Sequence, residues 1–157
     1  MTPDAIDIVP LAISIGLVVS LLFSEFFGIA AGGMVVPGYL ALRLNRPLDV
    51  LMTLLAGFVT FALVQGISSF AVIYGRRRTA LMILAGYLVG TVGRWALHGW
   101  FAPLVPGGVD IIGYIVPGLL AIWLARQGVL ETFSTATTAA VVVRLMLILL
   151  VAEELPV

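Results

Sequence analysis

Residues 50–75 form an unbroken run of 26 residues without one charged side chain. About 20 predominantly apolar residues suffice for a helix to cross the hydrocarbon core of a bilayer. A run of this length and character has few stable destinations other than lipid. The rest of the chain agrees. Hydrophobic residues make up 62% of the 157 positions and charged residues 10%, with a mean hydropathy of +1.21; soluble domains carry roughly 25% charged residues. The chain is long enough for roughly four to seven apolar segments of about 20 residues. That fits one membrane domain over 1–157 and leaves no room for a separate soluble domain. Net charge is zero, so there is no electrostatic case for nucleic acid. All eight basic residues are Arg, and the absence of Cys excludes disulfides and thiolate metal sites.

The apolar stretches are 8–24, 26–42, 50–75, 79–100 with Arg94 and His98 near its end, 110–124, and 130–152 with Arg144 inside. Asp4 and Asp7 stand where a cleaved signal would carry positive charge, so the first stretch is expected to stay in place as a helix. Two stretches are interrupted: one by Gly28, Gly32, Gly33, Pro37 and Gly38, the other by Pro117 and Gly118. Residues 43–49 read as a polar turn, and 101–108, with Pro103, Pro106, Gly107 and Gly108, as a loop.

The two interrupted stretches resemble each other. GMVVPGYLALRL at 33–44 and GYIVPGLLAIWL at 113–124 share seven of twelve residues at a constant offset of 80. This predicts an internal duplication, with halves 8–75 and 79–152 joined by a basic loop at 76–78. Each half is expected to be span, Pro-Gly-broken short helix, span. The fold class is therefore all-α integral membrane, with four full spans plus two broken or re-entrant helices, or six crossings. Corresponding broken segments in two halves mark a binding or transit site in transporter-like folds. Pro removes a backbone donor and Gly a side chain, and the freed groups need protein, water or ligand in lipid. Pro37, Gly38, Pro117 and Gly118 are thus candidates for a substrate path, against the simpler reading of a kinked helix.

Arg76, Arg77 and Arg78 form the strongest positive cluster and are expected at the cytoplasmic face. If each broken helix crosses, the halves are inverted and both termini lie outside. If each dips in and returns, both termini are cytoplasmic. The spanning length of each broken stretch favours the inverted arrangement.

Charges within apolar stretches are functional suspects. Glu25 could partner an intramembrane Arg or carry a proton, although an interfacial position is the simpler expectation. Arg144, deep in the last span, is expected to face the bundle, pairing with Glu25 or contacting an anion. Arg94 and His98 share a helix face and are expected in an interfacial belt with Trp95 and Trp100. Thr132, Ser134, Thr135, Thr137 and Thr138 suit helix packing or a wet path. No nucleophile–base pair, phosphate loop or metal constellation is present.

FFGIAAGGMVVPGYL at 26–40, YGRRR at 74–78, IGYIVPGLL at 112–120 and ARQG at 125–128 occur in order over nearly the whole chain. Together they resemble the PgsC/CapC family, the membrane subunit of bacterial poly-γ-glutamate (capsule) synthesis. The resemblance implies a multi-pass protein of the bacterial cytoplasmic membrane, non-catalytic on its own and without a cofactor. It implies a partner, a PgsB/CapB-like amide ligase that uses ATP and a divalent metal, and a PgsA/CapA-like extracytoplasmic subunit. The polymer, poly-γ-glutamate, is an anion. Pro37, Gly38, Pro117, Gly118, Arg94, Arg144 and Glu25 are the expected polymer path, and Arg76, Arg77 and Arg78 the expected ligase dock. A homo-oligomer is compatible with the small size. The alternatives are a stand-alone small-solute transporter and a scaffold that only anchors the ligase.

Overall fold

The computed structural model describes residues 8–100, 103 and 108–154, with 152–154 described by backbone alone. Most of the loop expected at 101–108 lies outside the described residues. All regular structure among the described residues is helical: α1 Ile8–Phe27, α2 Val36–Leu42, α3 Pro47–Phe70, α4 Arg76–Trp100, α5 Val116–Gln127 and α6 Val129–Glu154. Four of these, α1, α3, α4 and α6, are long and apolar enough to cross a membrane. Large apolar side chains such as Leu51, Leu55, Leu63, Leu84, Leu88 and Leu149 point away from the bundle, as contact with lipid requires. Exposed Trp95 and Trp100 mark one end of α4, the position that amphipathic rings take at a membrane surface.

Each short helix follows a non-helical leg, 28–35 before α2 and 108–115 before α5. Gly33 and Gly113, the first residues of the shared twelve-residue block, have φ of 117° and 63°, a region L side chains rarely enter. Pro37 and Pro117 sit in the first turn of their helices, where the missing N–H had no helical partner in any case.

Contacts fix the chain directions. Val9, Leu42, Arg43, Asp49 and Arg94 surround one cleft, so the start of α1, the end of α2, the start of α3 and the last third of α4 share one end of the bundle. Gln127 bonds Ala30, and Phe27 lies near Ser134, at the other end. The segment 28–43 therefore traverses the bundle antiparallel to α1, and 108–127 traverses it antiparallel to α4. The first three helices run up, down, up; the next three run down, up, down.

The two Pro-Gly helices meet their neighbours in the same way. A Cβ on Gly38 would lie 2.8 Å from the Ala12 carbonyl oxygen and 3.0 Å from Ile13 Cα of α1. A Cβ on Gly118 would lie 2.9 Å from the Met82 carbonyl oxygen and 2.9 Å from Ile83 Cα of α4. Gly16 and Gly86 face these glycines from the long helices, again with no room for a Cβ. Small residues are what let membrane helices approach this closely. Between the two pairs, Val36, Leu40, Val50, Ile112, Val116, Leu120, Ala136 and Ala140 pack into the central core.

One expectation changes. Arg76, Arg77 and Arg78 are not a loop but the first turn of α4: Gly75, at φ 62°, makes the reversal, and Arg is a good helix former. The Arg residues also divide evenly, with Arg76, Arg77, Arg78 and Arg126 towards one end and Arg43, Arg46, Arg94 and Arg144 towards the other. A count of Arg alone therefore does not orient the chain.

Gly86→Ala or Gly118→Ala should lower the melting temperature in detergent, because overpacking costs about 1–3 kcal/mol. Gly99→Ala, where a Cβ meets nothing, should leave it unchanged; equal losses for all three would refute the close-contact account. The absence of Cys allows single-cysteine labelling. Leu48→Cys and Tyr74→Cys should react with an impermeant maleimide from opposite sides of the membrane.

Candidate functional site

A backbone that leaves the helix inside a membrane protein must find hydrogen-bond partners from side chains. The leg 108–115 finds them on α3. Asp49 Oδ1 accepts the Asp110 N–H at 3.0 Å, and Thr53 Oγ1 accepts the Ile112 N–H at 2.9 Å. Thr53 Oγ1 donates in turn to the Asp49 carbonyl at 2.6 Å. The leg 28–35 is held from α5 and α6. Gln127 Oε1 accepts the Ala30 N–H at 3.1 Å and its Nε2 donates to the Ala30 carbonyl at 2.6 Å, which also receives the Thr135 hydroxyl at 3.2 Å.

Asp49 is the hinge of a charged group. Its side chain is only 2% exposed, with Arg43 Nη1 at 3.5 Å and Arg46 Nη1 at 3.8 Å. Across the cleft, Arg94 Nε lies 3.3 Å from Asp110 Oδ1 and Arg94 Nη2 donates to the Gly113 carbonyl at 2.8 Å. The Arg94 guanidinium lies 3.9 Å from the centre of the Tyr114 ring, a favourable cation–π placement. Arg43 and Arg94 with Asp49 and Asp110 thus surround a cleft of about 390 Å³, whose polar walls also include Tyr39 and Tyr114. Arg46, outside the cleft wall, adds a third cation beside Asp49, and the guanidiniums of the cleft can present N–H donors to an anion. Among the described residues, no three His, Cys, Asp or Glu side chains are gathered to hold a metal.

The structure distributes the sequence-derived candidates unevenly. Arg94 belongs to the cleft, where Asp110 and Gly113 draw it inward, at the end of α4 that carries Trp95 and Trp100; His98, one turn on, is exposed. Pro37, Gly38, Pro117 and Gly118 do not line the cleft but are buried against α1 and α4. Arg144 faces the bundle without meeting Glu25. Its Nη1 donates to the Ala41 carbonyl at 3.2 Å and its Nη2 to Asn45 Oδ1 at 2.8 Å, at the end of α2. Glu25 is exposed near the opposite end, where Phe23 and Phe27 border Ser134 and Thr138. The six residues from Thr138 to Arg144 alone amount to about 9 Å along the helix. Arg76 and Arg77 are exposed, and Arg78 donates to Gln65 Oε1 at 2.7 Å.

Asp49 and Asp110 are the cleft residues that sequence reasoning passed over. A signal existed: Asp49, Thr53 and Thr60 fall on one helical face with Ala56 and Gly57, a polar stripe that the fold buries.

The helices and cleft define an all-α protein with four helices long and apolar enough to cross a membrane and an Arg-lined recess at one end. The chain belongs to the capsule biosynthesis CapC family, whose profile matches residues 15–133. It is similar to a PGA biosynthesis protein CapC of Bacillus subtilis (strain 168), 37% identical over 129 residues that cover 80% of this chain and 83% of that one. A capsule biosynthesis protein CapC of Bacillus anthracis shows the same identity and coverage. No solved structure gives a significant match.

Asp49→Ala should destabilise the protein more than Asp49→Asn. Asn keeps an acceptor for the Asp110 N–H, whereas Ala leaves a buried donor unpaired, a loss of about 1–3 kcal/mol. Melting curves of the two variants in detergent measure the order, and a reversed order would sink the assignment of Asp49 Oδ1 as acceptor.

Proposed function

We propose that this chain is the membrane subunit of a poly-γ-glutamate synthase and export complex. It partners an ATP-dependent amide ligase, in which the metal and nucleotide chemistry resides, and helps pass the anionic polymer across the membrane. Family membership supports a place in capsule biosynthesis. The single observation that carries the reading further is the cleft, where the guanidiniums of Arg43 and Arg94 line a recess at one end of the bundle.

In this reading the two halves are an inverted repeat, and the exposed Arg76 and Arg77 end faces the cytoplasm and docks the ligase. Basic residues in the first turn of a helix oppose its macrodipole, so local stability does not explain three of them at the start of α4. The cleft then opens at the outer face, beside an extracytoplasmic partner. The central core of Val36, Leu40, Val116 and Leu120 fills the space between the halves. The route for the polymer therefore runs along a surface shared with further copies or partners, and the cleft receives it there.

Co-purification tests the partnership. A tagged chain solubilised in mild detergent should bring down an amide ligase that makes polymer from glutamate and ATP. Alanine at 76, 77 and 78 together should cut the recovered ligase several-fold while the protein still melts normally. Recovery of the chain with no ligase would move the weight to a stand-alone small-solute transporter, which the two broken segments also suit.

A further inference from the structure

The cleft holds two carboxylates in different ways. Asp49 is buried, accepts a backbone N–H, and stands between Arg43 and Arg46; it belongs to the frame. The Asp110 side chain is 38% exposed, and its Oδ1 accepts the amide of the next residue, Ile111, at 2.8 Å. It reaches Arg94 by a 3.3 Å approach to Nε, in a geometry that leaves this buried N–H without a hydrogen bond.

Arg94 is fixed by contrast. One arm is tied to the Gly113 carbonyl and the face is stacked on Tyr114. A guanidinium binds a carboxylate best through two parallel N–H···O bonds, and Asp110 supplies neither. Its backbone explains the misfit. The Asp110 N–H is tied to Asp49 and the leg is tied again at Gly113, so the short side chain cannot turn square to the guanidinium. The receptor suits a carboxylate, and the resident carboxylate fits it poorly.

Resting on the reading of this chain as a handler of an anionic polymer, we infer that the Arg94 cleft binds a carboxylate of a flexible polyanion. Asp110 is its internal competitor, displaced when a ligand carboxylate engages the guanidinium. Arg43, 48% exposed at the same cleft, faces the neighbouring carboxylate of the ligand. Leu42, Ile111 and Ile112 give the cleft an apolar wall for the methylene groups between carboxylates. The 390 Å³ volume lies within the roughly 300–1,000 Å³ of small-ligand sites.

The test is calorimetric titration of the full chain, in nanodiscs of zwitterionic lipid at low salt, with a purified γ-linked glutamate decamer. Asp110→Asn removes the competitor and should bind about two- to fivefold more tightly than the native chain, the scale of a partly exposed ion pair. Asp110→Glu, whose longer arm reaches the guanidinium, should bind more weakly. Arg94→Lys, which keeps the charge but loses the planar donor pair, should bind about tenfold more weakly. Gly99→Ala should match the native chain. A purely structural Asp110 would not produce opposite changes for Asn and Glu. Equal or weaker binding by a normally melting Asp110→Asn, unchanged binding by Arg94→Lys, or no binding by the native chain would overturn the proposal. None of these results touches the ligase partnership, which co-purification reads separately.

Discussion

The structure depends on satisfying the backbone of two legs that leave the helical state inside an apolar bundle. A helix meets its own hydrogen-bonding needs, and a leg does not. Here the need is met by few side chains: Asp49, Thr53 and Arg94 for one leg, Gln127, Thr135 and Ser20 for the other. Each donates or accepts from a neighbouring long helix or from the end of a short one. The legs are therefore pinned to the frame, and the short helices that follow start at fixed places.

That pinning explains where the polar chemistry lies. Asp49 Oδ1 holds the Asp110 amide from a buried position, and a buried carboxylate needs cations nearby. Arg43 and Arg46 answer that need from the turn between α2 and α3. The same leg carries Asp110 and the Gly113 carbonyl, which draw Arg94 inward from α4. A backbone problem in lipid has thus produced a charged recess, and a recess with exposed cations is a place where an anion can bind. Meanwhile Gly38 and Gly118, by admitting close backbone contact with α1 and α4, close the interior. The interior is a core, and the chemistry sits at one end.

Much of this was legible in the sequence. Uncharged runs reveal the long helices because lipid excludes charge over a fixed thickness, and the shared V-P-G block marks both short helices. The family resemblance was carried by the same blocks. What the sequence left open follows from three-dimensional proximity. Arg94 and Asp110 are 16 residues apart, and Asp49 is 61 residues from the amide it binds. Arg144 looked like a partner for Glu25 because both are charges in apolar surroundings, but they stand towards opposite ends, and Arg144 caps α2 instead. The glycines of the V-P-G blocks read as openings and turned out to be contacts, since the absence of a side chain serves either purpose.

The central claim is that side chains on α3 hold the leg 108–115 in place and so build the recess. Hydrogen–deuterium exchange of the full chain in nanodiscs tests it most directly, with the amides of Asp110 and Ile112 as reporters. The account predicts slow exchange at both in the native chain, and fast exchange at Ile112 in a Thr53→Val variant whose helices remain protected. Exchange of both amides at the rate of an open loop in the native chain would contradict it.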